Sequence, residues 1–302
     1  MQSRCVLLSQ RLKPCLDRLG YSRELQGDYT QAELLYTQAL TINQNNRGPK
    51  DLSTVYSLNN LAVLYSKQGK HDQALALYTQ LLEAQKPLLD ADHPDAIRAL
   101  HNITMLLFHV TQGNNEILGQ LEAMLEHALA VLQKTRGLEH PDTASTLNDL
   151  GILYYFHKKY RQAKPLLTQA LAIREHLLGP EHPDIAQSLN NLAELYHSQE
   201  NYREAEPLLE RALAIREQTQ GPEHLDTAQS LRNLAELYDT QGDLGKAKPL
   251  YLRALTIREQ HLGLEHPDTR SVARSYLSLL QTIGPVNEAV QLELRYSASP
   301  LQ

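Results

Sequence analysis

The stretch Ser188-Leu-Asn-Asn-Leu-Ala-Glu-Leu-Tyr196 sets Leu189, Leu192, Ala193 and Tyr196 at i, i+3, i+4 and i+7. That is the spacing of one helix face and not the alternation of a strand. After the polar turn Gln199-Glu200-Asn201, a second stripe of Ala205, Leu208, Leu209, Ala212 and Ile215 keeps the same period and predicts a second helix. Two helices, A and B, joined by a short turn are the unit from which the rest of the chain is read.

The unit recurs. Forty-two residues later stand Leu231, Leu234, Ala235 and Tyr238, then Ala247, Tyr251 and Ala254; forty-two earlier stand Leu147, Leu150, Gly151 and Tyr154, then Ala163, Leu167 and Ala170. His-Pro-Asp begins at His93, His140, His182 and His266, with His224-Leu225-Asp226 in its place once. A fixed period of this size means stacked supersecondary units. Ala or Gly at constant positions lets two helix backbones approach closely, with the bulky residue of the next turn filling the groove beside it. Gly137, Gly179, Gly221 and Gly263 fall where helix B ends, a place for a backbone conformation that glycine adopts without strain. The Pro of each His-Pro-Asp disfavours helix before it, and the Asp is expected to cap the next helix, with Asp184 to Gln187 and Asp226 to Gln229 in capping-box spacing.

Followed outward, the register predicts units around Leu16, Leu19, Gly20, Ala32, Tyr36 and Ala39, around Leu58, Leu61, Ala62, Tyr65, Ala74 and Tyr78, and around Leu100, Ile103, Leu107, Leu125 and Ala128. The third of these carries a longer turn at Thr111 to Glu116. A seventh unit keeps Leu277, Leu280 and Ala289 but has a shortened second helix whose polar Asn287, Glu288, Gln291 and Glu293 are expected to cap the stack. The whole of 1–302 is expected to be a single array with approximate units 3–47, 51–90, 95–137, 142–179, 184–221, 226–263 and 268–297.

Composition narrows the function. A net charge of -6 speaks against a broad phosphate-binding face, so no nucleic acid partner is expected, and a basic ligand fits better than an acidic one. Only Cys5 and Cys15 occur, without a Cys-x-x-Cys or paired framework, which fits a reducing compartment. The apolar run Val6 to Leu8 is too short for a secretory signal, and no window approaches about 18 uninterrupted apolar residues. A cytoplasmic location without membrane insertion is expected.

The string from Ser188 to Tyr196, with Tyr202-x-x-Ala205, Arg211-Ala-Leu-Ala-Ile-Arg-Glu217 and a Gly-Pro-Glu-His linker, resembles the long tetratricopeptide repeats of kinesin light chains and their bacterial relatives. The resemblance implies an all-α fold, a right-handed superhelical solenoid of about seven antiparallel helix pairs. It also implies a concave face lined by helix A residues that holds extended peptides. In this chain those positions are Tyr56, Asn59 and Val63; Arg98, His101, Met105, Phe108 and His109; Asn148, Ile152, Tyr155 and Phe156; Gln187, Asn190, Glu194 and His197; and Arg232, Glu236 and Asp239. The only two phenylalanines, Phe108 and Phe156, fall on adjacent units beside Met105, Ile152 and Tyr155, which reads either as a peptide anchor pocket or as a local core under the long turn. The series Asn60, Asn102, Asn191 and Asn233 reads either as clamps for a peptide backbone or as ties between repeats.

Other functions lack the residues they need. His-Pro-Asp is also the signature of J-domain co-chaperones, but here it recurs at repeat boundaries, where helix breaking and capping explain it. The carboxylate clamp of chaperone-binding relatives needs Lys and Arg where this chain has Asn59, His101 and Asn148. One His per unit spaces the rings too far apart to share a metal, and no phosphate loop, nucleophile elbow or His-Glu-x-x-His helix occurs. The pairs Arg174-Glu175, Arg216-Glu217 and Arg258-Glu259 read as a solvated face of helix B. The expected function is a non-catalytic scaffold without cofactor or metal, binding a protein or peptide segment in the concave groove, with a monomer favoured. The alternative is a self-association module or the sensor arm of a larger regulator.

Overall fold

The computed structural model describes residues 15–24, 28–68, 70–90, 115–284 and 286–296, and the regular structure among them is helical throughout. Residues 15–24 form α1, followed by α2 (Tyr29–Arg47), α3 (Leu52–Lys67), α4 (His71–Asp90), α5 (Asn115–Thr135) and α6 (Pro141–Phe156). Then come α7 (Tyr160–Leu178), α8 (Pro183–Ser198), α9 (Tyr202–Thr219), α10 (Leu225–Gln241), α11 (Leu244–Leu262), α12 (Pro267–Ile283) and α13 (Val286–Arg295). The chain divides into two compact units, Met1–His157 with α1 to α6 and Lys158–Gln302 with α7 to α13. The A helix expected around Leu100, Ile103 and Leu107 lies outside the described residues, as does most of the long turn at Thr111 to Glu116, since α5 already begins at Asn115.

The small residues are where the spacing puts them. In the second unit Ala193, Ala205, Ala235 and Ala247 are each 0 % exposed, so that α8 seats against α9 and α10 against α11 with no side-chain bulk between the backbones. Leu189, Leu231 and Tyr251 fill the spaces beside them, and burying each such leucine contributes about 1.5–3 kcal/mol. In the first unit the small residue is Gly20, and a Cβ there would stand 2.7 Å from Cε1 of Tyr36, whose hydroxyl donates to Glu24 at 2.9 Å. The shortened α13 leaves Asn287, Glu288, Gln291 and Glu293 exposed, as expected of a capping helix, but Val290 and Leu294 are exposed beside them.

Helix ends follow the period with one correction. Gly48, Gly179 and Gly263 close helix B at φ 81–87° and ψ 161–170°, a region essentially reserved for glycine. The cap of helix A is the histidine and not the aspartate. The Nδ1 atoms of His140, His182, His224 and His266 accept the backbone N–H two residues on at 3.1–3.2 Å, with Pro at the first helical position of three of these helices. Asp142, Asp184, Asp226 and Asp268 sit in the first turn, where they complement the helix dipole. An accepting Nδ1 carries no proton, so each cap requires the imidazole with its hydrogen off that nitrogen. Asp51, at the same register in front of α3, does this work with a carboxylate, accepting from Ser53 N at 2.8 Å.

Candidate functional site

In the second unit successive A helices α8, α10 and α12 pack directly on one another. Successive B helices are bridged by long side chains, Arg211 to Glu175 and Arg253 to Glu217 at 2.5 Å and Arg295 to Glu259 at 3.0 Å. Close approach on one side and wide bridging on the other curve the stack, which makes the A-helix side the inner face.

Each repeat junction of the second unit is held by the arginine that the sequence reading left in solvent. Arg174, Arg216 and Arg258 are 7 %, 4 % and 5 % exposed, and the glutamates beside them carry the outer bridges. Arg174 Nη1 donates to Ser188 Oγ at 2.7 Å and to Asp184 O at 3.2 Å. Arg216 Nη1 donates to Ser230 Oγ at 3.0 Å and Asp226 O at 2.7 Å, and its Nη2 to Gln187 Oε1 at 3.0 Å. Burial holds both the Arg216 and the Arg258 guanidinium below the usual arginine range. In the first unit Asn43, at the matching place, donates to Ser57 Oγ at 2.7 Å and Ser53 O at 2.9 Å.

The junctions also orient inner-face amides. Arginine only donates, so Gln187 and Gln229 must turn their oxygens to Arg216 and Arg258 and their nitrogens onward, to Asn191 Oδ1 at 3.0 Å and Asn233 Oδ1 at 2.8 Å. This replaces the capping-box role expected of the two glutamines.

Of the expected groove residues in the first unit, Tyr56 is exposed, Val63 half-buried and Asn59 buried on α3, and Asn59 Oδ1 has no hydrogen-bond partner. On α6, Asn148 is buried, Ile152 and Tyr155 are half-buried and Phe156 is 40 % exposed, its ring edge-on to Tyr155 at 5.0 Å. His157, just past the end of α6, lies 3.1 Å from Glu122 of α5. Arg98, His101, Met105, Phe108 and His109 lie outside the described residues. In the second unit Asn190 is buried and donates to Ser230 Oγ at 3.1 Å, while Glu194 is exposed. Gln187, His197, Arg232, Glu236 and Asp239 are half-buried. Arg232 Nε pairs with Glu236 Oε1 at 2.7 Å, and His197 Nε2 lies 3.1 Å from Thr240 Oγ1. Among the described residues no group of three or more His, Cys, Asp or Glu is placed to hold a metal ion. No described helix is long and apolar enough to cross a membrane.

Helix pairs repeated every 42 residues, seated on small residues and stacked A on A, define a tetratricopeptide array, and comparison with known proteins agrees. The tetratricopeptide repeat profile matches residues 13–86, 58–116, 119–176, 158–218 and 184–260, and the chain belongs to that family. The solved structure of a kinesin light chain from Podosopora anserina with nearly identical repeats is 27 % identical, with a TM-score of 0.53 over 70 % of this chain and 96 % of that one. A Rap protein complexed with Competence and Sporulation Factor shares the fold, at 17 % identity and a TM-score of 0.60 over 94 % of this chain and 73 % of that one. Among curated proteins, the Photosystem I assembly protein Ycf3 of Acaryochloris marina is 30 % identical over 92 residues, 30 % of this chain and 48 % of that protein. The chain thus spans about half the length of that relative.

Proposed function

We propose that this chain is a non-catalytic interaction module whose A-helix face holds a peptide segment of a partner protein. The observation that carries the reading is the aromatic pair on α6. Phe156 is 40 % exposed and stacked edge-on against Tyr155 at the end of an A helix whose other face supplies the core. An exposed aromatic beside a half-buried one is the geometry of an anchor that a partner's apolar side chain completes. Asn59, buried on α3 with an acceptor lacking a donor, supports the same reading, because the N–H groups of an extended backbone are the donors it lacks.

Site-specific photo-crosslinking tests it. A benzophenone amino acid at Phe156 is expected to trap one defined segment of a partner protein, whereas the same probe at Leu252, 48 % exposed on the B helix α11, traps none. Trapping from Leu252 alone overturns the inner-face assignment, and trapping only of a second copy of the chain replaces it with self-association.

A further inference from the structure

The A-helix face of the second unit differs from that of the first, because charge replaces its aromatics. Glu194 stands on α8 facing α10 and has no hydrogen-bond or ion-pair partner among the described residues. The charges around it are otherwise committed. Arg232 of α10 is bound to Glu236 at 2.7 Å. From α9, Arg216 is spent on Ser230, Asp226 and Gln187, and Tyr202 lies against the ring of His197 at 5.5 Å. From α7, Lys164 lies over the Tyr196 ring at 4.9 Å. Glu194 therefore faces a carboxylate, Glu236, whose own cation is already used, with Asp239 one turn further along α10.

One turn before Glu194 on the same helix is a second unsatisfied group. Asn190 is 3 % exposed, and its Nδ2 reaches across the seam to Ser230 of α10. Its Oδ1, directed away from Ser230 by the planar amide, has no donor. A buried acceptor without a donor is costly, and a native fold retains one where a ligand or water fills the place. Two acceptors, one of them anionic, share the α8–α10 seam, and the group that both lack is a cation with several N–H donors.

We infer that the α8–α10 seam is a seat for a cationic side chain, a lysine ammonium or arginine guanidinium carried by an extended segment of the partner, with Glu194 as its counter-ion and Asn190 as its acceptor. The inference rests on the reading of the inner face as a peptide groove and names the chemistry of one position of that peptide. It has a proton signature. Glu194 keeps one side open to water, but the concavity around it displaces much of its hydration and Glu236 repels it, so its carboxyl is pushed up to about 7, against a pull from Arg232. Burial moves His197 the other way, favouring its neutral form against a pull from Glu236. A cation seated on Glu194 requires the ionised carboxylate, so binding releases a proton and tightens as pH rises through 7.

The test uses the full chain and three pools of fluorescent nonapeptides, degenerate except for a central Lys, Glu or norleucine, with affinity read by anisotropy at fixed ionic strength. The Lys pool is expected to bind at pH 8 at least fivefold more tightly than the other two. It should weaken about tenfold at pH 6, the drop in ionised fraction for one carboxyl titrating near 7. Glu194→Gln, a near-isosteric change at an exposed position, removes both the preference and the pH dependence, while Glu223→Gln in an exposed linker changes neither. Survival of the preference in Glu194→Gln, or its equal loss in Glu223→Gln, overturns the seat in favour of diffuse attraction by a chain of net charge -6. Equal binding of all three pools overturns the seat and leaves the groove reading standing. Absence of binding by any pool overturns both.

Discussion

Two junctions of the second unit are built from the same arginine and do different things with it. Where α9 meets α10, Arg216 donates to Ser230, Asp226 and Gln187, and Ser230 also receives Asn190. Where α11 meets α12, Arg258 reaches Gln229 and lies 3.7 Å from Asp268, but Val272 stands where Ser230 stands in the repeat before, and Arg258 Nε is buried without a partner. A buried guanidinium stabilises only in proportion to the acceptors that meet it, since the cost of removing it from water is the same in both places. The first junction satisfies its charge; the second retains the charge without all of its acceptors.

The largest expected effect separates the two. Arg216→Met strands Ser230, Gln187 and the Asp226 carbonyl and is expected to cost about 2–3 kcal/mol, the worth of hydrogen bonds to a charged group, in chemical unfolding of the whole chain. Arg258→Met is expected to fall within about 0.5 kcal/mol of the parent, because an apolar side chain of similar volume replaces a poorly met charge. Equal losses in the two variants would break the comparison. A smaller change, Ser230→Val, copies the α11–α12 arrangement into the better junction and should cost about 1–2 kcal/mol, since it leaves Arg216 short of an acceptor and Asn190 without one. The smallest is a coupling: Val272→Ser should raise the cost of Arg258→Met by about 1 kcal/mol over its small cost alone, read as the interaction energy of a double-mutant cycle.

These arginines also mark where the sequence was legible and where it was not. Leu231, Ala235, Ala205 and Tyr251 declare themselves because burial on a helix leaves a periodic apolar stripe, and the repeat of that stripe every 42 residues is the fold. Arg216 carries no such mark. A charged residue on a B helix reads as solvated, and its partner Ser230 lies in the next repeat. A signal was present: Asn43 with Ser57, Arg174 with Ser188 and Arg216 with Ser230 all pair a long donor with a serine 14 residues on. The histidine caps were hidden for another reason, because Asp is the commoner cap and only backbone geometry shows Nδ1 in its place. Spacing brought Tyr155, Phe156, Glu194 and Glu236 onto A helices. It was silent on which polar groups there would be spent on the protein itself, as Arg232 is on Glu236, and which would be left over, as Glu194 is.

The outer bridges have a mechanical meaning. Glu175–Arg211, Glu217–Arg253 and Glu259–Arg295 join successive B helices through flexible, partly exposed side chains, while the A helices pack directly on one another. The inner seam therefore behaves as an inextensible line and the outer one as a row of soft springs whose stiffness is ionic, so that salt, which screens exposed pairs, loosens the springs without stretching the seam. In this half of the chain, flexing that spreads the outer rows is expected to be the softest deformation, and it alters the width of the inner face.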